Sequence, residues 1–209
     1  MKGLLLGANI EGVQNVLAVT GDALGGSKSA GESEKNVFHF NSFQLISYLS
    51  SLNGDLFRSR PYLIAGALNV NAAHFDAELD RMRKKMELGA ALFLTQGLFS
   101  EQSVENLIRA HDVLAGRSAL LAGILPLAGY RNAVFLSNEV AGMTIPAELL
   151  EKLRDKSPEE VRGVSIAYAK DILRAVRPHC EGVYLMTPLK KIDLVCELIS
   201  FIKGDEFHV

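Results

Sequence analysis

Five short stretches of the chain are mostly apolar, and longer stretches with the spacing of amphipathic helices lie between them. The apolar stretches are residues 15–20, 62–68, 91–96, 118–125 and 182–187. They are rich in Val, Leu, Ile, Ala and Phe and do not alternate between apolar and polar residues. This pattern is typical of strands that are covered on both faces of a parallel sheet. We therefore predict five parallel strands.

The stretches between these strands predict helices. Phe75, Leu79, Met82 and Met86 follow one another in steps of four, three and four, which places them on one helix face. Gly89 then ends that helix. Apolar residues at helical spacing predict another helix over residues 104–114, and residues 4–10 predict a short one at the start of the chain.

Two further helices are predicted from their first residues. Ser157-Pro158-Glu159-Glu160 has the pattern of a capping box with proline at the first helical position, which predicts a helix to about Arg177. Thr187-Pro188 is predicted to begin the last helix. The residues expected on its inward face are Ile192, Val195, Cys196 and Ile199.

The order of these elements is one helix followed by five strand–helix units, which is typical of an α/β fold with a parallel sheet. No shift in composition or charge divides the chain, so we predict a single domain over residues 1–209. The longest irregular segment, residues 23–35, is polar and rich in Gly and Ser.

Composition narrows the classes of function. The chain has 209 residues, of which 48% are hydrophobic, which is enough for a sizeable hydrophobic core. Its formal net charge of −2 does not suggest a broad basic surface for binding nucleic acid or acidic lipid. No apolar run approaches the ~20 residues of a membrane span. The cysteines, Cys180 and Cys196, are too few for a disulfide framework, which favours a cytoplasmic protein with reduced thiols.

Polar or aromatic side chains follow the predicted strands at the points where they end. These residues are Asp22, Asn69, Asn71, Gln96 and Tyr130. Because the carboxyl ends of parallel strands meet at one edge of the sheet, we expect these side chains to share one site.

Each of these residues also has a purely structural interpretation. Asp22 is a turn former after Gly21, and Asn69 and Asn71 are typical turn and N-cap residues. Tyr130 would simply cover the mouth of a barrel. Lys84 and Lys85, adjacent on a predicted helix, are typical of a solvated face, and Thr187 of an N-cap. Gln96 is harder to explain in this way, since an amide at the end of a buried strand needs partners.

Several common sites have no sequence signature here. The sequence contains no GxGxxG, no GxxxxGK[ST] and no GxSxG motif. The five histidines are scattered without the spacing of metal ligands, so no metal site is predicted.

Six motifs in order resemble methylenetetrahydrofolate reductases. They are NVLAVTGD, NSFQLI, GALNVN, KKMELGAALFLTQ, GILPLAGYRNAVFLSNEVAGMTIP and GVYLMTPLKK. The chain is most similar to the reductase half of bifunctional homocysteine S-methyltransferase/methylenetetrahydrofolate reductase proteins, from about Leu4 to Ile202. The resemblance implies a (β/α)8 barrel that contains FAD. It also implies hydride transfer from NAD(P)H to the flavin and then to 5,10-methylenetetrahydrofolate, which becomes 5-methyltetrahydrofolate.

The resemblance also implies roles for individual residues. Asp22 matches an aspartate beside the flavin pyrimidine edge that tunes the flavin and contacts folate. Gln96 matches a glutamine that hydrogen-bonds the pterin, and Tyr130 matches an aromatic residue over the bound substrate. Asp22 and Gln96 are thus the expected catalytic residues, and Gln96 and Tyr130 the expected substrate contacts. The expected FAD contacts are Asp22, Phe40, Asn41, Ser42, Asn69, Asn71, Glu78, Lys84 and Lys85.

The resemblance covers part of a barrel. The five predicted strands match strands four to eight, so the fold expected is a partial (β/α)8 TIM barrel. The segment with the general-acid glutamate lies among the first three strands of the family, and no residue here is assigned that role. The turn also reads Thr-Gly-Asp-Ala, where relatives usually have proline after the aspartate. An open sheet of this kind would expose two strand edges and an uncovered barrel interior.

Three explanations of the partial barrel follow, in order of preference. The chain is a fragment of a reductase, or one half of a split enzyme, or a degenerate homologue that binds ligand without catalysis. We therefore expect a folate substrate, and either a homo-oligomer or a partner that supplies the missing strands. The alternative functions are a non-catalytic flavin- or folate-binding subunit and a doubly wound domain that binds an unrelated small molecule.

Overall fold

The chain forms one parallel five-stranded sheet with helices packed against it. The computed structural model describes residues 1–19, 41–188 and 191–204. The strands are β1 (Asn15–Ala18), β2 (Leu63–Leu68), β3 (Leu92–Gly97), β4 (Ala119–Ile124) and β5 (Gly182–Leu185). The helices are α1 (Lys2–Ile10), α2 (Ser42–Gly54), α3 (Phe75–Glu87), α4 (Glu101–Leu114), α5 (Tyr130–Glu139), α6 (Ala147–Leu153), α7 (Pro158–Val176) and α8 (Ile192–Lys203).

The strands lie in the sheet in the order in which they occur in the chain, and each neighbouring pair is parallel. A doubly wound sheet reverses its strand order at a switch point, and this sheet has no reversal. The doubly wound alternative is therefore wrong. Consecutive parallel strands with helical crossovers are consistent with part of a TIM barrel.

The helices cover one face of the sheet. Alternate strand residues such as Ile64, Phe93 and Leu120 belong to a single buried apolar cluster with residues of α1–α4, α7 and α8. The opposite face is open at β1 and β2, where Leu17 and Leu63 are 44% and 42% exposed. Those two strands are therefore not covered on both faces, as their apolar sequences had suggested. An uncovered face of this kind is what the partial-barrel expectation describes.

The predicted end of α3 and the predicted beginning of α7 are confirmed. Gly89 follows α3 with a φ of +113°, a conformation that favours glycine. Ser157 and Glu160 form the predicted reciprocal capping box at the start of α7, with Pro158 at its first position. The first helix begins at Lys2, two residues earlier than expected.

The prediction for the last helix was wrong in two respects. The helix begins at Ile192 rather than at Pro188, and the Pro188 carbonyl accepts a hydrogen bond from Lys191 N at 2.8 Å. Thr187 is therefore not its N-cap. Its buried face carries Leu194, Leu198 and Phe201, whereas Ile192 is 63% exposed. Cys196 and Ile199 are also exposed. The sequence of α8 is apolar on two neighbouring stripes, and packing against α7 decides which one is buried.

The segment between β4 and α7 contains two helices that the strand–helix pattern does not predict. Helices α5 and α6 bury residues of their own in a second apolar cluster, which consists of Phe99, Leu125, Leu127, Ala133, Met143, Ile145, Leu149, Leu153 and Val161. Helix α6 has only 7 residues, fewer than a periodic pattern needs to be recognised. No helix of the described residues is both long enough and apolar enough to cross a membrane.

Candidate functional site

The described candidate residues at the carboxyl edge of the sheet come from the end of β3 and from the segments after β2 and β4. Asn69 and Asn71 follow β2, Gln96 is the last residue but one of β3, and Tyr130 begins α5 after β4. Asp22 and Phe40 lie outside the described residues, so their predicted roles beside the flavin stay predictions. The expected shared cavity between Asp22 and Gln96 likewise remains a prediction.

The end of β3 is irregular, and this irregularity surrounds Gln96. The pairing of β3 with β4 shifts register between Leu94 and Gly97, so that Gly97 rather than Gln96 lies opposite Gly123. The shift interrupts the regular ladder of backbone hydrogen bonds. Gly123 N donates to the Thr95 hydroxyl oxygen at 2.9 Å, where a regular ladder would offer it a backbone carbonyl.

Three side chains replace the interrupted ladder by donating to backbone carbonyls of residues 95–97, and a fourth donates to the carbonyl of Phe99, beyond the end of β3. The donors and acceptors are Tyr184 Oη to Thr95 O, Thr95 Oγ1 to Gln96 O at 2.8 Å, Asn71 Nδ2 to Gly97 O at 3.0 Å and Tyr168 Oη to Phe99 O at 2.5 Å. They come from β5, β3, the loop after β2 and α7. Buried carbonyls need partners, and each of these four is satisfied by a side chain from a defined element.

The side chain of Gln96 stands apart from these contacts. It is half-buried and makes no hydrogen bond to another described residue. A primary amide offers two donors and an acceptor. Among the described residues, no group pairs with the Gln96 amide, whose backbone is held in place on both sides.

Asn69 and Asn71 hold the loop that contains them. Asn69 Oδ1 accepts from Asn71 N at 3.0 Å, which is an Asx-turn. Asn71 Nδ2 donates to Gly97 O and to Gly142 O, the latter at 2.8 Å. Gly142 has a φ of +78°, and a Cβ there would lie 3.0 Å from Asn69 Nδ2. The turn interpretation of these asparagines is thus satisfied by the geometry, and a contact with FAD remains a prediction.

Glu78 and Lys85 on α3 are also bound to the end of β2. Lys85 is 8% exposed, and its Nζ donates to Ala67 O at 2.6 Å. Burial lowers the pKa of Lys85, and the nearby Glu78 carboxylate opposes that shift. Glu78 Oε1 accepts from Asn69 N at 3.2 Å. Both side chains therefore position the β2 loop, and Lys85 is not on the solvated face that its adjacency to Lys84 had suggested.

Lys84 has a different environment beside the start of α2. Its side chain is exposed, and its Nζ lies 5.1 Å from the centre of the Phe43 ring. Asn41 caps α2 through a capping box with Gln44, and Ser42 is buried in the first turn. Asn41, Phe43 and Lys84 line one groove of about 590 Å³ between α2 and α3. A helix N-terminus with a nearby lysine is a positive region of the surface.

The Tyr130 ring makes a cation–π contact with Arg154. The guanidinium of Arg154 lies 4.7 Å from the centre of its ring. Arg131, the next residue of α5, and Phe135, about one turn further on, line a mostly apolar pocket of about 600 Å³ that also contains Leu125 and Met186. The walls of this pocket are the ends of β4 and β5 and the first turns of α5. It therefore lies at the same edge of the sheet as Gln96.

The sequence interpretation assigned no role to Thr95, Tyr168 or Tyr184. Thr95 directly precedes Gln96 at the end of β3, whereas Tyr168 lies within α7 and Tyr184 within β5, away from the strand ends that were searched for candidate residues. The available signal was weak: Tyr184 is the one aromatic residue within the strand Gly182–Leu185, and Thr95 is the one hydroxyl-bearing residue within Leu92–Gly97.

Comparison with known proteins gives two findings. The family model for methylenetetrahydrofolate reductase matches residues 1–203. The fold is similar to that of an uncharacterized protein from Clostridium thermocellum that binds two copies of 5-methyl-5,6,7,8-tetrahydrofolic acid. The TM-score is 0.55 at 14% sequence identity, and the match covers 78% of this chain and 59% of that protein.

Proposed function

Since the chain belongs to the methylenetetrahydrofolate reductase family, we propose that it carries the folate site and part of the flavin site of such a reductase. The activity proposed is FAD-dependent reduction of 5,10-methylenetetrahydrofolate to 5-methyltetrahydrofolate with NAD(P)H as electron donor. We further propose that β1–β5 are equivalent to strands four to eight of the (β/α)8 barrel.

The observation that carries the proposal is that the Gln96 amide is hydrogen-bonded to no other residue in the described part of the chain. A pterin ring has adjacent donors and acceptors on one edge, and an amide side chain can pair with both kinds of group. The backbone on either side of Gln96 is fixed by hydrogen bonds from other elements. A fixed amide with nothing to bind among the described residues is suited to recognising such an edge.

The mostly apolar pocket at the same edge of the sheet as Gln96 has a composition that suits the tail of a folate. Leu125, Phe135 and Met186 offer apolar surface for an aromatic ring, and Arg131 offers a cation for a carboxylate. We propose that the pterin lies against Gln96 and that the remainder of the molecule extends toward this pocket. Tyr130 is proposed to pack on the substrate from the start of α5.

The described residues fit a flavin dinucleotide in part. The groove beside Lys84 combines an exposed ammonium with the N-terminus of α2, which suits a diphosphate. Glu78 and Lys85 are engaged with the β2 loop, so we propose that they, with Asn69 and Asn71, shape the wall along which the cofactor lies. When bound, FAD would supply the hydride-transfer chemistry. A carboxylate at Asp22 would then adjust the proton affinity of the flavin.

A second candidate function is a flavin- or folate-binding subunit that needs a partner chain for catalysis. The open face at Leu17 and Leu63 favours it, because apolar side chains on a sheet face are normally covered. No described residue is assigned as the general acid, so a partner or a further segment would have to supply one.

The experiment that tests the proposal is an assay of the protein isolated from its native source together with any chain that copurifies. We expect the visible absorbance bands of a bound flavin, binding of 5-methyltetrahydrofolate, and oxidation of NAD(P)H that depends on 5,10-methylenetetrahydrofolate. Ligand binding without turnover would favour the second candidate function. A colourless protein that binds neither added FAD nor the reduced folate would contradict both.

A further inference from the structure

The Tyr184 side chain extends across the neighbouring strand to the peptide group that precedes Gln96. Its hydroxyl lies on β5 and donates to Thr95 O on β3, although β4 lies between these strands in the sheet. It passes over Gly123, where a Cβ would lie 2.7 Å from the tyrosine oxygen. Glycine at this position therefore leaves the space that the contact requires.

The acceptor of this hydrogen bond belongs to the peptide group that joins Thr95 to Gln96. That group lies within the register shift, where β4 does not hold β3 by a regular ladder. The hydroxyl of Thr95 links Gly123 N to Gln96 O on the other side of the same residue. Without Tyr184, the described donors would leave Thr95 O without a side-chain partner.

We propose that Tyr184 is a positioning residue for Gln96. By fixing the Thr95–Gln96 peptide group, it sets the direction in which the Gln96 amide is presented to a folate. This inference rests on the proposed function of Gln96 and extends it to a residue that acts through the backbone. Burial raises the pKa of Tyr184, so the hydroxyl keeps its proton and remains a donor at neutral and moderately alkaline pH.

Tyr168 provides a matched control. Its hydroxyl also donates to a backbone carbonyl of the same segment, but the acceptor is Phe99 O, three residues beyond Gln96. Burial raises the pKa of Tyr168 as well. Tyr184→Phe and Tyr168→Phe each delete one partly buried hydroxyl, so a general loss of stability would affect both variants.

The first measurement is the Kd for 5-methyltetrahydrofolate, determined by titration calorimetry on the native protein. We expect Tyr184→Phe to raise this Kd about tenfold, as the loss of one oriented hydrogen bond would. Tyr168→Phe is expected to leave it unchanged. Equal Kd values for Tyr184→Phe and the wild type would overturn the inference, and so would equal increases in the two variants.

A double-mutant cycle separates a positioning role from direct contact with the ligand. In a Gln96→Leu background there is no amide to orient, so Tyr184→Phe is expected to cause no further increase in Kd. An undiminished effect of Tyr184→Phe in that background would show that the tyrosine acts on the folate itself, and the positioning role would be wrong.

Amide hydrogen exchange tests the inference without any ligand. If Tyr184 fixes the shifted segment, Tyr184→Phe should accelerate exchange of the Gly123 amide about tenfold, whereas Tyr168→Phe should not. Unchanged exchange at Gly123 in Tyr184→Phe would overturn the inference. A wild-type protein that binds no folate would contradict the proposed function, while the exchange rates would still decide whether Tyr184 holds the segment.

Discussion

Some of the described polar residues near the carboxyl edge of the sheet hold backbone groups, and Gln96 does not. Asn71, Glu78 and Lys85 each donate to or accept from a loop or strand-end backbone group. Gln96 makes no such contact with a described residue. At the scale of single residues, chemical type alone does not separate these roles. The amides of Asn71 and Gln96 would suit a ligand equally well, and so would the charged groups of Glu78 and Lys85.

Asn71 offers a direct test of the loop-holding role. In Asn71→Asp, a carboxylate replaces an amide group that donates to both Gly97 O and Gly142 O. Two carbonyls lose a donor and face a negative charge, so we expect the free energy of unfolding to fall by about 2–3 kcal/mol. Urea unfolding measures this difference.

The control for that change is Asn138→Asp, since Asn138 is exposed on α5. Surface changes of this kind usually alter stability by less than about 0.5 kcal/mol. Equal losses in the two variants would mean that the bridge to Gly142 contributes nothing to the fold.

At the scale of elements, local sequence signals were reliable where a cap or a breaker fixes the end of a helix. The capping box at Ser157 and the glycine at Gly89 both mark ends that the structure confirms. They were unreliable where tertiary packing decides. Helix α8 has two apolar stripes, and only contact with α7 selects Leu194 and Leu198 over Ile192.

The cap of α7 makes its stability depend on pH. Hydrogen bonds from the backbone of Ser157, together with the nearby Lys156 ammonium, lower the pKa of Glu160 from 4.5 to about 2. Because the folded state binds this proton less readily, the contribution of Glu160 is fully present above pH 4.5. It is lost as the pH falls from 4.5 toward about 2.

We therefore expect Glu160→Gln to be less stable than the wild type at pH 6, and the difference to narrow below pH 4.5. Urea unfolding over a series of pH values measures this. Glu159→Gln, which alters the neighbouring first-turn carboxylate outside the capping box, is the control and should show a smaller change with pH. A gap between Glu160→Gln and the wild type that stays constant with pH would contradict the role of the carboxylate.

At the scale of the whole molecule, the alternation of apolar runs and amphipathic stretches was enough to predict all five strands and their parallel arrangement. The apolar sequences of the strands predicted burial on both faces of the sheet. For β1 and β2 this was wrong, because one face is exposed at Leu17 and Leu63.

The site was predictable only in part, for physical reasons. Gln96 was identified because an amide at the end of a buried strand needs an explanation. Neither Tyr184 nor Thr95 was assigned a role, because their importance arises from a register shift between strands. A shift of this kind depends on pairing between segments that are about 25 residues or more apart in the chain, and no local pattern records it.

The measurement that tests the central claim most directly is the Kd of the native protein for 5-methyltetrahydrofolate in the wild type, Gln96→Leu and Gln102→Leu. Gln102 is an exposed glutamine on α4 and serves as the matched control. We predict that Gln96→Leu weakens binding by about 10- to 100-fold, as loss of the paired amide contacts requires, and that Gln102→Leu binds as the wild type does. Wild-type affinity in Gln96→Leu would contradict the claim that this amide recognises the folate.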